Sequence, residues 1–145
     1  ELTCLLIPCE NDSEAEIDKI TEWIVGNLCS DVTLHFTSFH HYWKMRDKQP
    51  TTIQTLKRIR EIALGNGLSH VYTGNVHDRE GSSTYCHQCG ETLVGRDWYT
   101  LSDWGIEIHD GMAACRSCGA GIAGVFELQP GTWGPRREPV KIAPV

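Results

Sequence analysis

The sequence lacks an uninterrupted apolar stretch long enough to cross a membrane, which takes about 20 residues. It also lacks an excess of positive charge, because 13 lysines and arginines stand against 19 aspartates and glutamates, for a formal charge of −6. Proteins that hold nucleic acid through many phosphate contacts need clustered basic residues, so this balance argues against a nucleic-acid surface. We also expect no signal peptide. We therefore expect a soluble, cytoplasmic protein with no membrane or nucleic-acid partner.

Proline is nearly missing from the first 126 residues, which contain only Pro8 and Pro50. The other four prolines all lie in residues 127–145. Because proline lacks a backbone N–H donor and fixes φ, a segment so rich in it forms neither a helix nor a central strand. We therefore predict an extended tail over residues 127–145, in which Trp133 is the residue suited to dock on the rest of the protein.

Cysteine, by contrast, is concentrated in a repeated pattern. The sequence Cys-x-x-Cys-Gly occurs at residues 86–90 and again at 115–119. Two such knuckles, each a turn that carries two cysteines, offer the four thiolates of a tetrahedral zinc site. We predict that structural zinc is bound by Cys86, Cys89, Cys115 and Cys118. A complete set of four cysteines leaves no open position for a reacting water, so the site would hold structure and would not catalyse.

Three alternatives to this zinc site remain open in the sequence. Two disulfides would use the same cysteines, although paired knuckles in a chain without a signal peptide favour a metal. Iron in a rubredoxin-like centre also takes four thiolates, and spacing does not separate it from zinc. His87 or His109 could replace a cysteine ligand, but a complete cysteine set favours solvent-facing histidines in turns.

The residues between the knuckles form short apolar and aromatic runs, which are interrupted at Gly95, Asp103 and Gly105. Such runs are typical of a small antiparallel sheet. We predict a zinc ribbon in the region 79–126. So small a unit buries little apolar surface, and metal binding of about 10–16 kcal/mol would drive its folding.

Residues 1–78 have the pattern of a different kind of unit. An apolar run that ends at Pro8 and the alternating sequence of residues 31–39 predict two strands, and residues 69–75 predict a third. Ser13 and Glu16 predict the start of a first helix, and Pro50, Thr51 and Gln54 that of a second, which ends in the sequence Gly-Asn-Gly at 65–67. The stripes predicted to face the core are Ile17, Ile20, Ile24 and Leu28 in the first helix and Ile53, Leu56, Ala63 and Leu64 in the second.

The fold class that follows is α/β, with a partial parallel βαβαβ unit before a small zinc ribbon of four cysteines. Three parallel strands covered by two helices leave two open sheet edges. We therefore expect this unit to be a slice of a larger barrel or sheet, whose N-terminal part is missing or comes from a separate chain.

Five segments, in this order, resemble the C-terminal half of radical SAM enzymes of the AmmeMemoRadiSam type, which are related to pyruvate formate-lyase activating enzymes. The resemblance covers Glu1 to Phe126 and rests on ELTCLLIPCENDS, LHFTSFHHYWKM, GLSHVYTGNV, TYCHQCGETLV and CRSCGAGIAGV. It implies a partial (β/α) barrel with a terminal zinc ribbon. It also implies a 4Fe–4S cluster that cleaves S-adenosylmethionine reductively to a 5'-deoxyadenosyl radical.

The chain departs from this family at several positions. The cluster sequence Cys-x3-Cys-x2-Cys does not occur in it, so we expect the cluster on an N-terminal portion and no catalysis by these 145 residues alone. Cys4, Cys9 and Cys29 are predicted to be small buried side chains and not cluster ligands. Cys9 stands where the family has glycine, Ser38 where it tends to have arginine, and His41 where it tends to have proline.

Ligands of parallel α/β barrels gather at the carboxyl ends of the strands and on the lumen side. By resemblance, Asn11, His35 and His40 are candidates for the S-adenosylmethionine or substrate pocket, and Asn75 ends the third predicted strand in the same way. A turn before the helix would also explain Asn11, and a structural role would explain both histidines.

The loop after the second predicted strand carries aromatic residues, Tyr42 and Trp43, together with Met45. These side chains would form either a lid over a ligand or a cluster docked on the core. A second hypothesis for the whole chain is a non-catalytic zinc-ribbon module, with the α/β unit as a platform for a protein substrate or partner.

Overall fold

The structure is a computed structural model, and it describes residues 1–132 and residue 134. Three parallel strands and two long helices come first, followed by a short helix and five short strands. In chain order the elements are β1 (Leu2–Leu6), α1 (Glu14–Asn27), β2 (Leu34–Ser38), α2 (Ile53–Gly65), β3 (Val71–Gly74), α3 (Arg79–Ser82), β4 (Thr84–Tyr85), β5 (Thr92–Asp97), β6 (Thr100–Trp104), β7 (Ile106–His109) and β8 (Met112–Cys115).

The first half is the predicted parallel βαβαβ unit. Strands β1, β2 and β3 pair in chain order, so that Leu34 lies opposite both Leu2 and Val71. Alternate residues of β2 are buried, as predicted, with Leu34 and Phe36 on the buried face. Both helices pack against that face, because one core cluster contains Leu6, Ile17, Ile24, Leu34, Phe36, Leu56, Ile59, Ala63, Leu68 and Val71. Neither helix covers the opposite face, which carries His35, Thr37 and Tyr72.

The buried stripe of α1 differs from the predicted one. Ile17 and Ile24 are buried, but Ile20 is 38% exposed and Leu28 is 53% exposed, so the prediction is wrong at these two positions. Ile20 projects about 60° away from Ile17 around the helix, and Leu28 is the C-cap residue, beyond the last turn. Between the buried residues Ile17 and Ile24, the fully buried position is occupied by a threonine.

That threonine, Thr21, is tolerated in the core because its hydroxyl is fully paired. Its Oγ1 donates to the carbonyl of Ile17 at 2.8 Å and accepts from Nδ2 of Asn66 at 2.8 Å. Asn66 is the C-cap of α2. The bond therefore joins the two helices at a site where sequence periodicity favours an apolar residue.

The start and end of α2 agree with the sequence to within a residue or two. Its N-cap is Thr52, whose Oγ1 accepts from the backbone N–H of Thr55 at 3.1 Å. The helix ends at Gly65, and Gly67 adopts φ 98°, a conformation suited to glycine. Leu56 and Ala63 are buried as predicted, together with Ile59, whereas Ile53 and Leu64 are half-buried.

The second half contains two small antiparallel sheets in place of the single one predicted. One has the order β4-β5-β6 and the other pairs β7 with β8. Gly105 lies between β6 and β7. An added Cβ there would lie 2.4 Å from the Thr92 carbonyl oxygen, so the close packing of this residue against β5 requires glycine. Their shared core consists of Cys86, Leu93, Val94, Ile106, Ala113, Cys115 and Ile122.

Residues 127–132 form no helix or strand. Trp133 and residues 135–145 lie outside the described residues, and with them lies the prediction that Trp133 docks. Within the part of the chain that the structure describes, no helix combines the length and the apolar character needed to cross a membrane.

Candidate functional site

The two cysteine knuckles are closed by equivalent hydrogen bonds. The amide of Gly90 donates to the carbonyl of Cys86 at 2.9 Å, and the amide of Gly119 donates to the carbonyl of Cys115 at 2.8 Å. The two glycines have φ 74° and 75°, in the left-handed region that other residues avoid. The glycine after each Cys-x-x-Cys therefore closes a turn that aims both sulfurs to the same side.

The four sulfurs converge on a common point. All four lie within 4.8 Å of one another. The Sγ atoms of Cys86 and Cys118 are 3.6 Å apart, and those of Cys89 and Cys115 are 3.7 Å apart. A disulfide needs about 2.04 Å, so these cysteines are not paired covalently. Four sulfurs around zinc at about 2.3 Å would be about 3.8 Å apart in a tetrahedron, and the observed spacing fits such an ion.

The electrostatics of the cluster also suit a cation. Burial acts to raise the pKa of the Cys86 thiol, but hydrogen bonds from the backbone N–H groups of Cys89 and Gln88 outweigh it and lower that pKa to about 6. At Cys89 a backbone hydrogen bond from Glu91 lowers the pKa, but contacts with the neighbouring thiols and burial raise it to about 12. Four crowded thiols cannot all ionise without a cation between them. The donor set is therefore one for a thiophilic metal ion.

Neither histidine near the knuckles belongs to the cluster. Among the described residues, the only set able to hold a metal consists of the four cysteines. His87 is exposed, and His109 is exposed with its Nε2 atom 3.3 Å from Oε2 of Glu107. The favoured interpretation of both as solvent-facing residues agrees with these positions.

The predicted pocket residues lie at different places on the parallel sheet. The side chain of Asn11 is bonded to the end of β1, since its Oδ1 accepts from the amide of Ile7 at 2.7 Å and its Nδ2 donates to the Leu5 carbonyl at 3.0 Å. His40 and Asn75 are in contact beyond β2 and β3, where Nε2 of His40 lies 3.2 Å from the Asn75 carbonyl oxygen.

His35 lies in the middle of β2, on the face without helices. Its ring stacks on Tyr72 with 5.2 Å between ring centroids. Its Nε2 atom is buried and lies 2.6 Å from Oε1 of Glu1, without hydrogen-bond alignment. His35 is therefore separate from the strand-end contact between His40 and Asn75.

The loop between β2 and α2 is closed at its base. Two hydrogen bonds join Phe39 to Thr51. The amide of Thr51 donates to the Phe39 carbonyl, and the amide of Phe39 donates to Oγ1 of the Thr51 side chain, both at 3.1 Å. Beyond this closure Tyr42 is 78% exposed and Trp43 is 77% exposed. These aromatics are thus not docked on the core, and the lid alternative stays a prediction.

The three remaining cysteines are less buried than predicted. Cys4 is half-buried, and burial raises the pKa of its thiol. Cys9 and Cys29 are exposed, so the prediction of burial is wrong for both. Both lie outside the core elements, Cys9 in the turn after β1 and Cys29 after α1. Cys9 has φ 66°, a left-handed conformation that suits the glycine found at this position in the resembled family.

Sequence reasoning missed two residues on the open face of the sheet. Tyr72 alternates with the buried residues Val71 and Thr73, and this alternation is a signal that could have placed it beside His35. Arg96 lies on β5 with its guanidinium carbon 5.8 Å from the Tyr72 ring centroid. No local pattern reveals that contact, because it joins two separate sheets.

No family model matches the chain, and no solved structure matches it. An uncharacterized protein of Methanocaldococcus jannaschii is 36% identical to it over 122 residues. The matched region covers 84% of this chain and 36% of that protein. The chain thus spans about a third of the length of the curated relative that it matches.

Proposed function

We propose that this chain is the C-terminal portion of a radical SAM enzyme that carries a structural zinc ribbon. The observation that carries the proposal is the open face of the parallel sheet. Three parallel strands present His35, Thr37 and Tyr72 on a face that neither α1 nor α2 covers, and the four-cysteine centre follows in the order of the resembled family. A partial barrel would turn such a face toward its lumen.

The turn after β1 supports the same proposal. Asn11 holds this turn through the backbone of Leu5 and Ile7, and Cys9 in it takes the left-handed conformation. The resembled family has glycine at the position of Cys9. The backbone conformation of Cys9 is therefore the one that glycine favours, although the residue differs. In this proposal the side chain of Asn11 shapes the pocket wall and leaves ligand contact to the backbone and to its neighbours.

The zinc site has a structural role in this proposal. All four tetrahedral positions are taken by cysteine, so no position remains for a substrate or a reacting water. Zinc fits the sulfur spacing, and its role would be to hold β4–β8 in place beside the parallel sheet.

The chemistry would depend on a 4Fe–4S cluster held by an N-terminal portion, on the same polypeptide or on a separate chain, since its ligands do not occur in these 145 residues. Such a cluster supplies the electron that cleaves S-adenosylmethionine. The residues of this chain would bind and orient: His40 and Asn75 at the strand ends, and His35 on the lumen face.

The first test is whether the coding sequence before Glu1 contains Cys-x3-Cys-x2-Cys, and whether the protein that includes it forms 5'-deoxyadenosine from S-adenosylmethionine. After reconstitution with iron and sulfide and reduction, we expect product in chromatography. His40→Ala should lower the rate by up to about tenfold, since it removes one hydrogen bond. His109→Ala, on β7 in the ribbon, is the matched control and should retain the rate.

A cluster that assembles without any 5'-deoxyadenosine formation would overturn the proposal, as would the absence of both the cluster sequence and preceding barrel strands. These outcomes would favour a non-catalytic zinc-ribbon module that binds a protein partner. The exposed Trp98 and Tyr99, at the turn between β5 and β6, are the observation that favours this second function, because exposed aromatic residues commonly anchor protein interfaces.

A further inference from the structure

A cleft of about 630 Å³ lies between the open face of the parallel sheet and the ribbon. His35 and Tyr72 line it from the sheet, and Thr84 and Arg96 line it from β4 and β5. The segment after the last knuckle, residues 123–126, lines it as well. The cleft is therefore built from both halves of the chain and is separate from the four-cysteine centre.

One nitrogen of the Arg96 guanidinium forms hydrogen bonds beside this cleft. Its Nη1 donates to Oγ1 of Thr84 at 2.7 Å and to the carbonyl of Ser82 at 3.3 Å. Thr84 in turn is bonded to the hydroxyl of Tyr72 at 2.8 Å. The guanidinium is thus positioned by neutral partners, which orient it without neutralising its charge.

The opposite edge of the same guanidinium is formed by Nε and Nη2. Among the described residues, Arg96 forms no salt bridge, and its Nε and Nη2 atoms make no hydrogen bond. These two nitrogens form the fork that pairs with both oxygens of a carboxylate or a phosphate. Because Arg96 is half-buried, its charge is less screened by water and salt than that of a surface arginine.

The acidic residue that lines the cleft is Glu1, and its carboxylate lies against His35, with 2.6 Å between Oε1 and Nε2. An incoming anion would be repelled from that side. It would be directed to Arg96, where the ring of Tyr72 offers a flat surface next to the charge.

We propose that this cleft binds a small anionic molecule whose carboxylate or phosphate group pairs with the Nε–Nη2 edge of Arg96 and whose apolar part lies against Tyr72. The site is formed by the 145 residues themselves, and its ligand need not be S-adenosylmethionine. Binding can therefore be tested without the proposed radical chemistry, and failure of one proposal leaves the other standing.

The test is a nuclear magnetic resonance titration of the full, zinc-loaded chain with acetate in one arm and inorganic phosphate in the other. We expect the Nε–H signal of Arg96 and the amide signals of Tyr72 and Thr84 to shift, with a dissociation constant on the order of millimolar. A larger response to acetate would assign the site to carboxylates, and a larger response to phosphate would assign it to phosphorylated compounds.

Arg96→Gln should weaken binding by at least about tenfold, because it removes a hydrogen-bonded charge. Arg58→Gln is the matched control, since Arg58 lies on α2 and pairs with Glu14 at 3.1 Å, and it should bind as the unsubstituted chain does. If Arg96→Gln unfolds the ribbon, the variant cannot report on binding. The test then rests on whether anion shifts the Arg96 Nε–H signal of the unsubstituted chain.

The proposal is overturned if neither anion shifts that signal, or if the Nε–H signals of Arg58 and Arg96 respond alike. It is also overturned if the signals of the cleft change with protein concentration and not with anion, since a second copy of the chain would then cover the face.

Discussion

Gly90 and Gly119 are equivalent residues of the two knuckles, and each has a positive φ with nothing within 4 Å of an added Cβ. The cost of Gly90→Ala is therefore purely one of backbone conformation, about 1–2 kcal/mol for an L-residue in the left-handed region. Zinc binds the knuckle in its folded conformation, so this conformational cost reduces the free energy of zinc binding. We expect Gly90→Ala and Gly119→Ala each to lower zinc affinity by about tenfold in chelator competition.

Gly26→Ala is the control for this prediction. Gly26 lies in α1, also has nothing within 4 Å of an added Cβ, and does not have a positive φ. Alanine should stabilise the helix there by about 0.5–1 kcal/mol and leave zinc affinity unchanged. Equal zinc affinity for Gly90→Ala and the unsubstituted chain would show that the positive φ is not needed to form the site.

At the scale of elements, Thr51 joins the ends of β1 and β2 to the start of α2. Its buried Oγ1 donates to the Leu6 carbonyl at 2.5 Å and accepts from the Phe39 amide at 3.1 Å. Thr51→Val keeps the shape but leaves both backbone groups without a partner, at a cost of about 1–3 kcal/mol in the free energy of unfolding.

Urea denaturation followed by circular dichroism measures this cost. Thr3→Val is the matched control, because Thr3 is exposed on β1, and its effect should stay within about 0.5 kcal/mol. An equal effect of the two substitutions would mean that the Thr51 hydroxyl does not stabilise the junction. The hydrogen bonds between Thr51 and Phe39 also close the base of the loop that carries Tyr42 and Trp43. We therefore expect Thr51→Val to increase the mobility of this loop.

The elements show which features a sequence can predict. The three strands, the ends of α2 and the convergence of the four cysteines follow from local patterns: alternation, capping residues and the Cys-x-x-Cys-Gly repeat. The burial of Thr21 does not, because it depends on a hydrogen bond from Asn66, the C-cap residue of α2. The contact of Tyr72 with Arg96 joins residues of different sheets, so no short-range pattern encodes it.

At the scale of the whole molecule, the described residues form two apolar cores, and only one of them includes cysteines of the four-cysteine cluster. The first has ten buried residues between the parallel sheet and its helices. The second has seven, and two of these are Cys86 and Cys115 of the four-cysteine cluster. The first core contains no residue of the four-cysteine cluster, whereas we expect the second to lose contacts when a bound metal is removed. The two halves should therefore respond differently to metal removal.

We expect about one zinc ion per chain in elemental analysis of gently purified protein, and its removal by a strong chelator should unfold the ribbon alone. Metal binding supplies about 10–16 kcal/mol in small zinc units, more than a seven-residue core can replace. In heteronuclear spectra, the amide signals of β4–β8 should collapse to unfolded positions while those of α1 and α2 keep their dispersion. Added zinc should restore them. Loss of all signals would mean that the two cores fold as one unit, and an unchanged spectrum would mean that the four sulfurs hold their places without a metal.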